Sequence, residues 1–319
     1  MCTCLDINKK DRYFGRTLDL EFHYNEEAVI TPRNYKFKSP NGLEFKNKYA
    51  MIGTAMVFND YPLYYEACNE YGLSIAGLNF PYNCVYFEPK DDKFNLTAFE
   101  LIPYLLGKYK SIKELKDILP SLNITNVCFA DDMPLSPLHF MISDDEECLV
   151  LEQTKDGLNI YKNEERVMTN NPPFPLQLEN LQKYNKLTNK FIESKDNKYT
   201  CVGLGGIGLP GDSSSQSRFV KTCFLRKHTT FSNVELENVS SFFHILDNIS
   251  MIKGCVLTKN NLEDITFYTS CINASKCIYY YKTYLNNQIS SLKLDDTNKN
   301  SDKLTRFKLI TEQNVNYLN

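Results

Sequence analysis

The chain has 319 residues, 42% of them hydrophobic and 24% charged, which is enough apolar material for a real core and too much for a disordered chain. Its formal net charge of −3, from 36 basic and 39 acidic residues, leaves no basic excess to hold nucleic acid or an anionic membrane surface. No run of about eighteen apolar residues is present, which argues against a membrane anchor.

The opening MCTCLDINKK lacks the apolar segment of a secretory leader, so the cytoplasm is the expected compartment. There the 11 cysteines should stay as free thiols, and their odd number already leaves one unpaired. Cys2 to Ile7 alternates as a strand does, Lys9 to Asp11 reads as a turn, and Tyr13 to Phe22 as a second strand, which together predict a hairpin. The apolar runs Ala50 to Phe58 and Leu73 to Phe80 predict buried strands. Thr97 with Glu100 forms a capping box ahead of a helix through Leu106. Ser111 with Glu114 forms a second, for a helix reaching about Leu119. Strands follow at Leu138 to Ser143, Cys148 to Gln153 and Leu158 to Tyr161, and a helix from Val239 to Ile249. Ile265 to Ile272 and Cys277 to Tyr284 read as strands around a polar turn. No repeat or flexible linker interrupts residues 1–319, so they read as one domain. Hairpins with helices grouped in blocks point to an α+β fold and against a doubly wound parallel sheet.

Few chemical motifs stand out. The four histidines are scattered and no C-x-x-C pair exists, so no metal site is expected. Gly203-x-Gly205-x-x-Gly208 matches a dinucleotide fingerprint in form, but Pro210, Gly211 and Asp212 stand where its helix should begin, so it reads as a turn-rich loop. Cys2 differs because of its position. Removal of Met1 would put its thiol and a free α-amino group on one residue. An α-amine titrates near about 7.7–8.0 and a thiol near about 8.5, so the amine can serve as the base without a histidine. Such a nucleophile also needs charges to set it and donors for an oxyanion. Arg16 and Asp19 on the second strand are candidates, although they start on opposite faces, need a bulge or twist to aim both inward, and by themselves read first as a surface salt-bridging strand. Asn79, Asn170 and Arg218 are further candidates that read equally as turn or ion-pairing residues.

The start Met1-Cys2-Thr3 and the stretch Phe14-Gly15-Arg16-Thr17-Leu18-Asp19 resemble the opening of choloylglycine hydrolases, which include bile salt hydrolases and penicillin V acylases. The resemblance continues at Asn69-Glu70-Tyr71-Gly72-Leu73, Ala76-Gly77-Leu78-Asn79-Phe80-Pro81, Thr169-Asn170-Asn171-Pro172, Gly208-Leu209-Pro210-Gly211-Asp212, Ser217-Arg218-Phe219 and Tyr279-Tyr280-Tyr281, in order along nearly the whole chain. It implies a four-layer αββα sandwich of the N-terminal nucleophile hydrolase type and processing that exposes Cys2. It implies further that Cys2 attacks the amide, that Arg16 and Asp19 orient and tune it, that the Asn170 side chain and the Asn79 backbone N–H hold the oxyanion, and that Arg218 stabilises the site. Asn79 resembles the bile salt branch, whereas penicillin V acylases tend to carry Tyr there. By the same resemblance the substrate is a conjugated bile salt, contacted by Arg16 and Asn79, with Leu18, Phe58, Phe129 and Met133 along its steroid. No cofactor is implied, and a homotetramer is. The alternatives are a penicillin V acylase or other N-acyl amidase, a non-catalytic steroid-binding protein of the same fold, and a thiol redox protein using Cys2 and Cys4.

Overall fold

The structure is a computed structural model that describes residues 1–131, 133–191 and 205–319. Gly203 of the glycine motif lies outside the described residues; Gly205 to Gly208 form a turn.

Cys2–Lys9 and Asp11–Leu20 form the expected antiparallel hairpin. It turns at Lys10, whose φ of 63° is the left-handed conformation a tight turn requires. The hairpin is the middle of a six-stranded sheet, with Val167–Met168 on one side and Ile265–Asn273, Ile278–Thr283 and Asn286–Lys293 on the other. Gly15 permits close packing inside this sheet, because a Cβ there would run into the Ser270 backbone carbonyl. An eight-stranded sheet runs Gly157–Lys162, Cys148–Thr154, Leu138–Ser143, Ser74–Asn79, Tyr61–Asn69, Met51–Phe58, Glu27–Thr31, Thr305–Lys308. All the pairings within these two sheets are antiparallel.

The sheets pack face to face and helices cover both outsides. Ala98–Lys108 lies on Tyr61–Asn69 and Ser74–Asn79. Ser215–His228 lies on the first strand, and Glu235–Asp247 on Ile265–Asn273. This is the four-layer αββα sandwich. Both faces of each sheet are thereby dry, which is why Cys2 to Ile7 is buried without a break while the strand still alternates its side chains between two layers. No helix among the described residues is long and apolar enough to cross a membrane.

Several boundaries move. The second strand spans Asp11–Leu20, and the last long helix Glu235–Asp247. The helix opened by Ser111 closes after Ile112–Leu115, and a 3-10 turn at Leu119–Ser121 follows. The Thr97 capping box forms as expected, with Glu100 accepting from the Thr97 N–H at 2.9 Å and the Thr97 side chain facing the Glu100 N–H.

Candidate active site

Strand register alone arranges the residues around Cys2. Cys2 lies opposite Leu18 and Cys4 opposite Arg16, so these four side chains share the face that meets the eight-stranded sheet. Thr3, Thr17 and Asp19 share the other face. Arg16 and Asp19 therefore stay on opposite faces and flank Cys2 from two sides, and no bulge in their own strand swings them together. The bulge that does occur is in the neighbouring strand, between Thr266 and Tyr268.

Arg16 is buried and spans the gap between the sheets. Its Nη1 donates to the Gly77 carbonyl at 2.5 Å and to the Tyr65 carbonyl at 3.2 Å, and its Nε to the Thr17 carbonyl at 3.1 Å. Tyr65 is the extra residue of a bulge, since Thr54 pairs with Glu66 and Ala55 with Tyr64. The bulge re-aims this carbonyl at the guanidinium. Burial alone would lower the pKa of Arg16, but the anionic forms of Cys2, Tyr268, Glu66 and Cys4 around it outweigh burial and hold it above its ordinary value. Arg16 is thus a fixed positive charge on the thiol side of Cys2. Cys4 shares that face but is fully buried, and burial pushes its thiol well above the usual range despite Arg16. It is an inert protonated thiol, a poor partner for redox chemistry with Cys2.

The backbone side of Cys2 is held from the helix layer. Arg218 Nη1 donates to the Cys2 carbonyl at 2.6 Å and to Thr3 Oγ1 at 2.5 Å, and Nη2 donates to Asn170 Oδ1 at 2.7 Å. Burial lowers the Arg218 pKa, with Asp19, Cys2 and Asp264 opposing. Arg218 belongs to the helix Ser215–His228, an element absent from the sequence-based expectations. The signals were there: Ser214 caps the helix by accepting from the Ser217 N–H, and Arg226, Lys227 and His228 fill its last turn.

Asn170 joins these parts. Its Oδ1 accepts from the Cys2 N–H at 2.9 Å as well as from Arg218, and its Nδ2 donates to the Asn79 carbonyl at 2.7 Å. Two donors on one side and a carbonyl on the other leave only one orientation for this amide. One Nδ2 hydrogen remains for a ligand. The Asn79 N–H is also directed away from its neighbour strand. Phe80 N donates to the Pro137 carbonyl, so the adjacent pair Asn79 and Leu138 is the non-bonded step of the ladder. On the other side the pairing with Tyr61–Asn69 extends no further than Ala76. Asn79, Pro81, Asn170, Asn171, Ser215 and Met1 line a cavity of about 220 Å³.

Met1 is attached. Its ammonium donates to the Asp19 carbonyl at 2.7 Å and pairs with Asp264 at 3.1 Å. Burial would lower its pKa, but Cys2, Asp19 and Asp264 raise it overall. The Asp19 carboxylate accepts from Thr17 Oγ1 at 3.0 Å and Thr266 Oγ1 at 2.6 Å. Burial raises its pKa, against the Met1 ammonium, Arg218 and Thr266.

Of the expected substrate-lining residues, Phe58 and Phe129 meet edge-to-face at 5.8 Å and line a second cavity of about 460 Å³ with Lys38, Asn41 and Tyr61. Asn79 lines the smaller cavity, and no residue lines both. Leu18 is buried opposite Cys2, and Met133 packs on the core beneath the outer helices.

Residues 2–307 match the model of the choloylglycine hydrolase family, the linear amide C–N hydrolases. The chain belongs to this family. It is 42% identical over 317 residues to a bile salt hydrolase/transferase of Lactiplantibacillus plantarum, covering 98% of each chain. It is 36% identical to a bile salt hydrolase/transferase of Clostridium perfringens, covering 100% of both. A crystal structure of a variant of conjugated bile acid hydrolase from Clostridium perfringens matches with a TM-score of 0.93 at 35% identity over 100% of both chains. Penicillin V acylase from Agrobacterium tumefaciens matches with a TM-score of 0.78 at 18% identity, over 97% of this chain and 91% of that one, and shares the fold. The sandwich is thus of the N-terminal nucleophile hydrolase type, and the protein is an amide hydrolase.

Glu66 is a site residue that sequence reasoning missed. It is fully buried behind Arg16, with Oε2 3.9 Å from Arg16 Nε, and accepts from Tyr268 at 2.6 Å and Tyr279 at 2.9 Å. Burial lifts its pKa from 4.5 to about 7, against Arg16 and the two tyrosines. The folded protein therefore keeps this proton where the unfolded chain has lost it. The stability it contributes is complete below about pH 4.5 and is lost as pH rises to about 7. The loss amounts to about 3 kcal/mol at most. Denaturant unfolding of Glu66→Gln and wild type at pH 5 and pH 8 reads this: the variant should gain on the wild type at the higher pH. Parallel behaviour at both values would show that Glu66 is ionised throughout.

Proposed function

We infer that this protein hydrolyses the amide of glycine- or taurine-conjugated bile salts, releasing free bile acid and the amino acid, with Cys2 as nucleophile. The observation that carries the reading is the convergence on Cys2 of Arg16 from the thiol side and of Asn170 and Arg218 from the backbone side. With Met1 removed, the nitrogen that now donates to Asn170 becomes a free amine held in the same place. In this reading it takes the thiol proton as Sγ bonds to the carbonyl carbon. The tetrahedral oxyanion lies between the free Nδ2 hydrogen of Asn170 and the Asn79 N–H. The C–N bond then breaks, the amine hands its proton to the leaving amino acid, and a thioester remains. Water, deprotonated by the same amine, attacks the thioester and restores the thiol. Asp19 and Arg218 fix the charge around that amine. The mechanism uses no cofactor.

The relatives named for bile salts and conjugated bile acid support this substrate, as does Asn rather than Tyr at position 79. By the family resemblance the steroid is assigned to Leu18, Phe58, Phe129 and Met133, of which Phe58 and Phe129 line the larger cavity. A cytoplasmic homo-oligomer, a tetramer by similarity, completes the reading.

The test is release of amino acid from glycocholate and taurocholate, and of acyl acid from penicillin V, by protein whose intact mass shows loss of Met1. Both conjugates should be cleaved far faster than penicillin V. Cleavage of penicillin V alone would keep the chemistry and move the substrate. Inactivity toward all of them in the processed protein would overturn the reading.

A further inference from the structure

His139 sits one residue beyond Leu138, the cross-strand neighbour of Asn79, and is 2% exposed. Its ring stacks on Phe80 with centroids 4.4 Å apart and planes 1° from parallel. Its Nε2 lies 2.8 Å from the Thr169 carbonyl. A carbonyl only accepts, so Nε2 carries a hydrogen and donates it. Its Nδ1 faces Glu152 Oε1 at 3.1 Å, and Glu152 is fully buried. Both Glu152 oxygens also accept from the Phe174 N–H, at 3.0 and 3.1 Å.

Phe80 follows Asn79, and Thr169 precedes Asn170. One imidazole therefore grips the chain next to each of the two expected oxyanion donors. Glu152, through Phe174, holds the far end of the same loop. We propose that His139, backed by Glu152, is a positioning residue that sets the spacing between the Asn79 N–H and the Asn170 side chain. It touches neither the thiol nor the substrate. The two donors come from different segments, one a strand end in the eight-stranded sheet and the other the loop between Val167–Met168 and the helix Phe174–Gln182. The bond from Asn170 Nδ2 to the Asn79 carbonyl at 2.7 Å and that from Asn171 Nδ2 to the Pro81 carbonyl tie the two segments directly, and His139 holds the backbone beside those bonds. An oxyanion hole loses its advantage when a donor shifts by a fraction of an ångström, so a tie between the segments has kinetic consequences. Gln177 and Ser215 brace the loop from the other side, by donating to the Asn170 carbonyl at 3.2 Å and accepting from the Asn170 N–H at 2.8 Å. These contacts lie within the helix-side layer and do not reach Asn79's strand.

The inference rests on the amide-hydrolase mechanism above, and the test separates the two. The variant His139→Phe keeps a ring against Phe80 and removes both polar contacts. Hydrolysis is followed on whichever N-acyl amide the wild type cleaves, so a wrong substrate shows in the wild type and a wrong role for His139 only in the variant. In parallel, alkylation of Cys2 by iodoacetamide reports the thiol, a reaction that develops no oxyanion. The expected result is a kcat lower by about 10- to 100-fold, KM within about twofold, and alkylation within about twofold of wild type. Wild-type kcat in the variant would overturn the proposal. So would alkylation slowed by the same factor as kcat, because the whole site would then have been disturbed. If His139→Phe does not fold, His139→Gln, which can keep the bond to Thr169 but not the stack, is read on the same two ratios with the same meanings.

Discussion

Cys2→Ala slows hydrolysis of the conjugated bile salts by at least about 10⁴-fold. The substitution removes one sulfur and nothing else that the site uses. The backbone N–H to Asn170 and the carbonyl held by Arg218 belong to the main chain and survive it. Alanine is as small as cysteine, so Met1 removal is unaffected and the free amine is still formed. What disappears is the group proposed to bond to the acyl carbon. A water activated by the same amine would have to attack directly, without the thioester that divides the reaction into two easier halves. Cys2 is 2% exposed, its truncation leaves little cavity, and the buried guanidinium of Arg16 keeps its carbonyl partners at Gly77, Tyr65 and Thr17. The variant should therefore fold and still bind substrate. Amino acid release measured on protein of verified mass checks this. Activity within tenfold of wild type would mean that the nucleophile is another group.

The hairpin was legible in the sequence because both of its strands alternate and a short polar turn joins them. The faces of Arg16 and Asp19 follow from parity alone, but their purpose does not. The partners that make Arg16 a fixed charge are carbonyls of Gly77 and Tyr65 in the other sheet, and sheet-to-sheet apposition has no local signature. Tyr61–Asn69 went unassigned for a related reason. Pro62 argues against a central strand, and Glu66 reads as a solvent-facing interruption. In the folded chain Pro62 lies at the strand's start and Glu66 lies between two tyrosine hydroxyls donated by the opposite sheet. A polar residue that finds its partners across a dry interface looks, in sequence, like one facing water. The helix Phe174–Gln182 was hidden by the prolines that start it. The family resemblance located Cys2, Arg16, Asp19, Asn79, Asn170 and Arg218, and the fold brings them together. It offered nothing on Glu66, His139 or Glu152, which act on those residues and not on a ligand.

Asn170→Ala should lower kcat by about 10²- to 10³-fold with KM changed only a few-fold. Two roles are superposed in this side chain, and a second substitution separates them. Oδ1 accepts from the Cys2 nitrogen and from Arg218, which is a ground-state task that positions the amine. Nδ2 donates to Asn79 and has one hydrogen left, which is the task reserved for the oxyanion. Asn170→Asp keeps an acceptor for Cys2 and Arg218 and is nearly the same size, but replaces the NH₂ by an oxygen. That oxygen would face the Asn79 carbonyl without a hydrogen between them and present negative charge where negative charge develops. If the donor role dominates, Asp is at least as damaging as Ala. If only the acceptor role matters, Asp restores most of the activity, because Arg218 and the Cys2 nitrogen recover their partner. Steady-state kinetics of the two variants beside wild type, with melting temperatures to confirm folding, distinguish these outcomes. Recovery by Asp would remove Asn170 from the oxyanion hole and leave the Asn79 N–H as the donor to be tested next.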